Sequence, residues 1–78
     1  LVKIYPMPIT QDACSIISDQ PVEQAVLYSM DGREVLRRKL NNVSGQINIP
    51  LPNMQNRVFI LQLKLKNKYV TERIVISR

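Results

Sequence analysis

The sequence predicts an all-β domain, on three observations. Residues 58–66 have period two, with Phe59, Leu61, Leu63 and Leu65 on one face and Gln62, Lys64 and Lys66 on the other. Prolines and Asp, Asn and Gly clusters cut the rest into short runs rich in β-formers. No helix-period segment exceeds two turns.

The elements follow in order. Leu1–Tyr5 alternates Val2 and Ile4 with Lys3 and reads as a first strand, closed by Pro6-Met7-Pro8, where each ring removes a backbone donor. Ala13–Ser18 is a second, stopped by the turn cluster Asp19-Gln20-Pro21. Gln24–Ser29 and Glu34–Leu40 form a hairpin across Ser29-Met30-Asp31-Gly32-Arg33. A two-residue turn on Asp31-Gly32 would set Tyr28 opposite Val35. A type I turn on Met30-Asp31, with Gly32 left-handed in a bulge, would set Leu27 there, and is the reading preferred. Both need Gly32 at positive φ, and they bury different faces of the strand.

Asn41–Gly45 reads as a loop and Gln46–Ile49 as a strand, with Ile47 and Ile49 on one face. Pro50-Leu51-Pro52-Asn53 cannot be a central strand and is a crossing connection. Val58–Lys66 turns at Asn67-Lys68 into the last strand. Zipping back pairs Leu65 with Val70, Leu61 with Ile74 and Phe59 with Ile76, and leaves Glu72 opposite Leu63 as a mismatch. Phe59, Leu61 and Ile74 are assigned to the core. Seven short antiparallel strands with proline-rich crossings predict an immunoglobulin-like β-sandwich with Greek-key connections. An open barrel is the alternative.

The bulk numbers bound the function. A chain of 78 residues is one domain. It buries only about 60% of its unfolded surface, which leaves little room for a deep cleft. It starts at Leu1, already in strand, so a fragment of a longer protein is expected. The single Cys14 rules out a disulfide scaffold and reads as a small buried apolar residue. There is no histidine, which removes the commonest general base and most zinc sites. Six scattered acidic residues form no calcium loop, and glycines only at 32 and 45 leave no phosphate cradle. An enzyme, a cofactor and a resident metal are therefore not expected.

The net charge is +5. Arg37-Arg38-Lys39, and Lys64, Lys66 and Lys68 with Arg73, read as solvated outer faces whose cations discourage edge pairing. Nucleic-acid binding would need aromatics interleaved with the cations, and only Tyr5, Tyr28, Phe59 and Tyr69 exist.

Four segments, in order, resemble the type A C-terminal sorting domains of the type IX secretion system of Bacteroidota. Ile4-Tyr5-Pro6-Met7-Pro8 is similar to that family's Tyr-Pro-Asn-Pro opening. Leu27 to Val35 is similar to its strand–turn–strand with Gly-Arg, here Gly32-Arg33. Ile47 to Leu51 is similar to its Ile-x-Leu/Pro strand. Val58 to Leu63 is similar to its Gly-x-Tyr-x-Leu strand, followed by a closing Arg73-Ile74-Val75. The chain departs from the pattern at Met7, Ser29 and Arg57, and in its Ile76-Ser77-Arg78 ending.

The resemblance implies a non-catalytic signal that guides its parent from the periplasm across the outer membrane to the cell surface or medium. It implies partners in the secretion machinery, including a sortase-like protease, and attachment of the mature parent to anionic lipopolysaccharide. Docking would use the last hairpin, Val58–Arg78, and an exposed sheet edge by strand addition. The residues expected to carry recognition, or the shape it requires, are Tyr5, Pro6, Pro8, Gly32, Arg33, Arg73, Ile74, Val75, Ile76, Ser77 and Arg78. An open edge could also pair with a second copy. A generic extracellular adhesion or accessory sandwich is the alternative function.

Overall fold

The computed structural model describes residues 2–51 and 54–78. Among these there are five strands and no helix: β1 Val2–Tyr5, β2 Ala13–Ser29, β3 Glu34–Pro50, β4 Val58–Leu65 and β5 Tyr69–Val75. All pair antiparallel in one curled sheet of order β1-β2-β4-β5, with β3 also on β2.

The expectation of seven strands is corrected to five, because two of the expected breaks are kinks inside continuous strands. Strand β2 runs through Asp19-Gln20-Pro21, and β3 runs through Asn41–Gly45. Pairing survives at Val22↔Val43, with register shifts on both sides of it. Each strand carries extra residues where the other does not, so the ladder bends without ending. The buried Ser18 hydroxyl donates to the Gln20 carbonyl at 2.7 Å and accepts the Gln20 amide at 3.2 Å. Opposite, Asn41 and Asn42 take left-handed φ of 56° and 61°, and Gly45 takes 85°. Asparagine tolerates that region better than most residues. A turn cluster in sequence marks a bend, and a bend need not end a strand.

The bend gives β2 two sets of neighbours. Its first half lies between β1 and the end of β3, with Ile4↔Ile16 and Ile16↔Ile47. Its second half lies between β4 and the start of β3, with Leu27↔Leu61 and Leu27↔Leu36. One core joins both halves: Cys14, Ile16, Ile47 and Ile49 with Ala25, Leu27, Phe59, Leu61, Leu63, Leu65, Ile74 and Ile76. Phe59, Leu61, Ile74 and Cys14 are buried as expected. Val26 is buried too but stands outside that cluster, opposite Arg37 and Gln62. Long polar side chains can shelter an apolar neighbour in this way.

The β2–β3 turn is the bulged one. Gly32 donates to the Ser29 carbonyl at 2.9 Å and has φ 88°. A second register shift follows, so Leu27 faces Leu36 and neither expected partner faces Val35. Val35 is the extra residue and is exposed.

The β4–β5 hairpin also differs from expectation. The Leu65 amide meets the Lys68 carbonyl, so the turn sits on Lys66-Asn67, not on Asn67-Lys68. The register moves by two: Leu63 faces Val70, Leu61 faces Glu72 and Phe59 faces Ile74. A slip of two keeps every side chain on its face, so alternation alone cannot choose between these registers. Glu72 is exposed on this outer strand, and the mismatch moves from Leu63 to the equally buried Leu61. Pro50 closes β3, which among the described residues pairs on one side only, so its missing N–H leaves no ladder partner unmet there. The expectations for Leu1, Pro52 and Asn53 lie outside the described residues.

Candidate functional site

Because β2 and β3 fold back at their kinks, both ends of β2 reach one end of the molecule. The last residues of the chain are fastened there. Strand β5 ends beside Val58, and the Ile76 amide then donates to the Arg57 carbonyl at 3.0 Å. On the other side Ile9 forms a parallel bridge with Ile76. The Ile9 amide donates to Val75 O at 2.7 Å, and the Ser77 amide donates to Ile9 O at 2.9 Å. Ile9 and Ile76 are both buried, at 0% and 1% exposed. The tail is thus held as a short strand between two connections.

Arg78 extends this arrangement. The Asn56 amide group clamps its backbone, accepting the Arg78 N–H at 3.0 Å and donating to the Arg78 carbonyl at 3.1 Å. The Arg78 guanidinium pairs with Asp12 and donates to the Met54 carbonyl. The Asp12 carbonyl in turn accepts the Leu51 amide at 2.6 Å. Asp12 is 86% accessible, and an ion pair that open to water contributes about 0–1 kcal/mol. Full burial of an isoleucine side chain contributes about 1.5–3 kcal/mol. Ile76 therefore anchors the tail, and the polar contacts set its direction.

The residues singled out in the sequence separate into three groups. Tyr5, Pro6, Pro8, Val75, Ile76, Ser77 and Arg78 come together, linked through Ile9 and by the Val75 amide resting on Met7 Sδ at 3.4 Å. The Tyr5–Pro6 and Met7–Pro8 peptides are both cis. Gly32 and Arg33 reach the same end from the β2–β3 turn. There the buried Ser29 hydroxyl donates to the Asp31 carboxylate and accepts the Arg33 amide. The Ser29 hydroxyl, the Arg33 amide beside the carboxylate and the nearby Arg33 charge hold the Asp31 carboxyl below the usual carboxylate range. Arg73 and Ile74 lie further back on β5: Ile74 is core opposite Phe59, and Arg73 is exposed opposite Ile60.

The sequence reading missed Ile9, Asp12, Met54, Asn56 and the Arg57 carbonyl as holders of the tail. Ile9 did carry a signal, being a lone large apolar residue between Pro8 and Thr10 in a connection. Leu51, between two prolines, is the same kind of residue and is also buried. Backbone carbonyls and the Asn56 clamp leave no such trace.

Burial pushes the Cys14 thiol up to about 11, so it is not a nucleophile in the folded chain. Among the described residues no group of three or more Cys, Asp or Glu gathers as a metal would require. The fold and its fastened tail define a class, a small all-β module whose last strand runs on into a tail bonded on both sides. The chain belongs to the secretion system C-terminal sorting domains, whose family profile matches residues 3–77. It is a sorting signal for type IX secretion. Comparison with curated proteins gave no match.

Proposed function

We propose that the secretion machinery reads the end of the domain where Tyr5–Asp12, Gly32-Arg33, Met54–Arg57 and Val75–Arg78 meet, and that the tail is presented there as a fixed strand. The observation that carries this is the double fastening of Ile76 and Ser77, by Arg57 on one side and Ile9 on the other. A signal that must be read on many different parents needs one shape independent of what precedes it. The two halves of the curled sheet act as the two layers of an immunoglobulin-like sandwich, and their shared core sets that shape. The domain is then the terminal unit of a longer exported protein. It is read in the periplasm, and a sortase-like protease is the partner that would release it. Among the described residues strand β5 pairs only with β4 until Ile76, so its outer edge from Tyr69 to Ile74 can take an added strand. That strand could come from a machinery protein or from a second copy.

The test is removal of Ser77 and Arg78 from the parent, which leaves Ile76 in place. The shortened parent is expected to accumulate in the periplasm instead of reaching the surface. A melting curve of the shortened domain shows whether it still folds. Normal surface delivery by a folded, shortened parent would overturn the proposal.

A further inference from the structure

Beside the fastened tail lies a recess of about 240 Å³, whose lining includes Ser29, Arg33, Val35, Met54, Arg57 and Phe59, with Gln55. It lies between the β2–β3 turn and the connection into β4. Its composition is amphipathic: Phe59, Val35 and Met54 supply apolar surface, and Arg33 and Arg57 supply guanidinium groups. Neither arginine is in an ion pair among the described residues, whereas Arg37 pairs with Glu34 and Arg78 with Asp12. Asp31 is the nearby acid, and its carboxylate is taken up by the Ser29 hydroxyl and the Arg33 amide. With Asp31 counted, two cations against one anion leave the rim positive.

We propose that this recess binds an acidic segment of a partner protein, with one apolar side chain of that segment seated between the two arginines. The inference rests on the sorting role above and names the chemistry of the partner's contact. A recess below the roughly 300–1,000 Å³ of small-molecule sites fits a side chain or two, not a whole ligand. Guanidinium forks match carboxylates in two-bond geometry, and arginine beside an aromatic floor is a common centre of binding energy. Methionine adapts its shape to what arrives. A polyphosphate ligand would need a longer cationic track and would gain nothing from Phe59 and Val35. The Arg57 carbonyl also holds the Ile76 amide, so the recess and the tail share a wall, and one partner surface can touch both.

The experiment uses the full parent in its own cells. One variant carries Arg33→Glu and Arg57→Glu together, and another carries Arg33→Lys and Arg57→Lys. In a third, a photo-crosslinking residue replaces Gln55, with a control crosslinker at Lys68 in the far β4–β5 turn. Export by the Glu variant is expected to fall at least about tenfold, as expected for the loss of a charge pair at an interface. The Lys variant should lose less. The Gln55 crosslink should land on a protein segment with more Asp and Glu than Lys and Arg around an apolar residue, and Lys68 should not reach that segment. Normal export of the Glu variant, no crosslink at Gln55, or a crosslink to a neutral or basic segment or to a non-protein polymer would overturn the inference. The crosslinked chain keeps both arginines, so it still reports if the Glu variant misfolds. If removing Ser77-Arg78 blocks export while the Glu variant exports normally, the sorting role stands and the acidic partner falls.

Discussion

Ile76→Ala removes the apolar anchor of the tail and leaves the backbone bonds around it in place. Ile76 is 1% exposed. Losing three carbons at about 0.8 kcal/mol per buried methylene gives about 2.4 kcal/mol. The space left behind adds to this, and measured isoleucine-to-alanine losses run about 2–5 kcal/mol. A domain of 78 residues has a net stability of about 4–12 kcal/mol, at about 0.05–0.15 kcal/mol per residue. One side chain therefore carries a sizeable share. With a urea slope of about 1 kcal/mol per molar for a small protein, the unfolding midpoint should drop by at least about 2 M. Ile76→Val should cost only about 0.5–1.5 kcal/mol and keeps the series measurable if the alanine variant is largely unfolded. The assay is equilibrium urea unfolding of the purified 78-residue chain, followed by circular dichroism. A loss under about 0.5 kcal/mol for the alanine variant would mean that the tail is not packed, and the reasoning from burial to a fixed tail would fail.

Gly32 has φ 88°, and a Cβ placed on it meets nothing within 4 Å. Gly32→Ala should therefore cost about 1–2 kcal/mol of backbone energy and no packing, while Gly32→Asn should recover part of that in the same unfolding assay. Equal losses for both variants would point to a clash instead. Cys14 is 0% exposed with its thiol at about 11. Alkylation at pH 8 should be blocked in the native chain and complete within minutes once urea unfolds it, as read by mass spectrometry.

Much of the fold was legible because alternation encodes faces. Strand β4, the burial of Phe59, Leu61 and Ile74, and the role of Gly32 all follow from period two and from one residue's freedom at positive φ. Alternation does not encode register in steps of two. Alternation therefore leaves the β4–β5 register open by two residues, and the Leu65–Lys68 bond sets it. Nor does a turn-forming cluster reveal whether the ladder stops or bends. At Ser18–Val22 and Asn41–Gly45 it bends: a buried serine hydroxyl bonds the Gln20 backbone, and two asparagines and a glycine take the left-handed φ of the kink. At the candidate site the sequence named the tail and the Tyr-Pro segment but not what joins them. Ile9 looked like a connection residue, and the groups that grip Ile76, Ser77 and Arg78 are mostly carbonyls, which every residue has.

The direct measurement is amide hydrogen exchange at Ile76 and Ser77. Their N–H groups donate to Arg57 and Ile9 carbonyls at 3.0 and 2.9 Å. If the tail is built into the sheet, both amides should exchange as slowly as those of the β4–β5 ladder, close to the global unfolding limit. Exchange of both at the rate of an unstructured peptide, while Leu61 and Leu63 stay protected, would show a free tail on a folded domain and contradict the account.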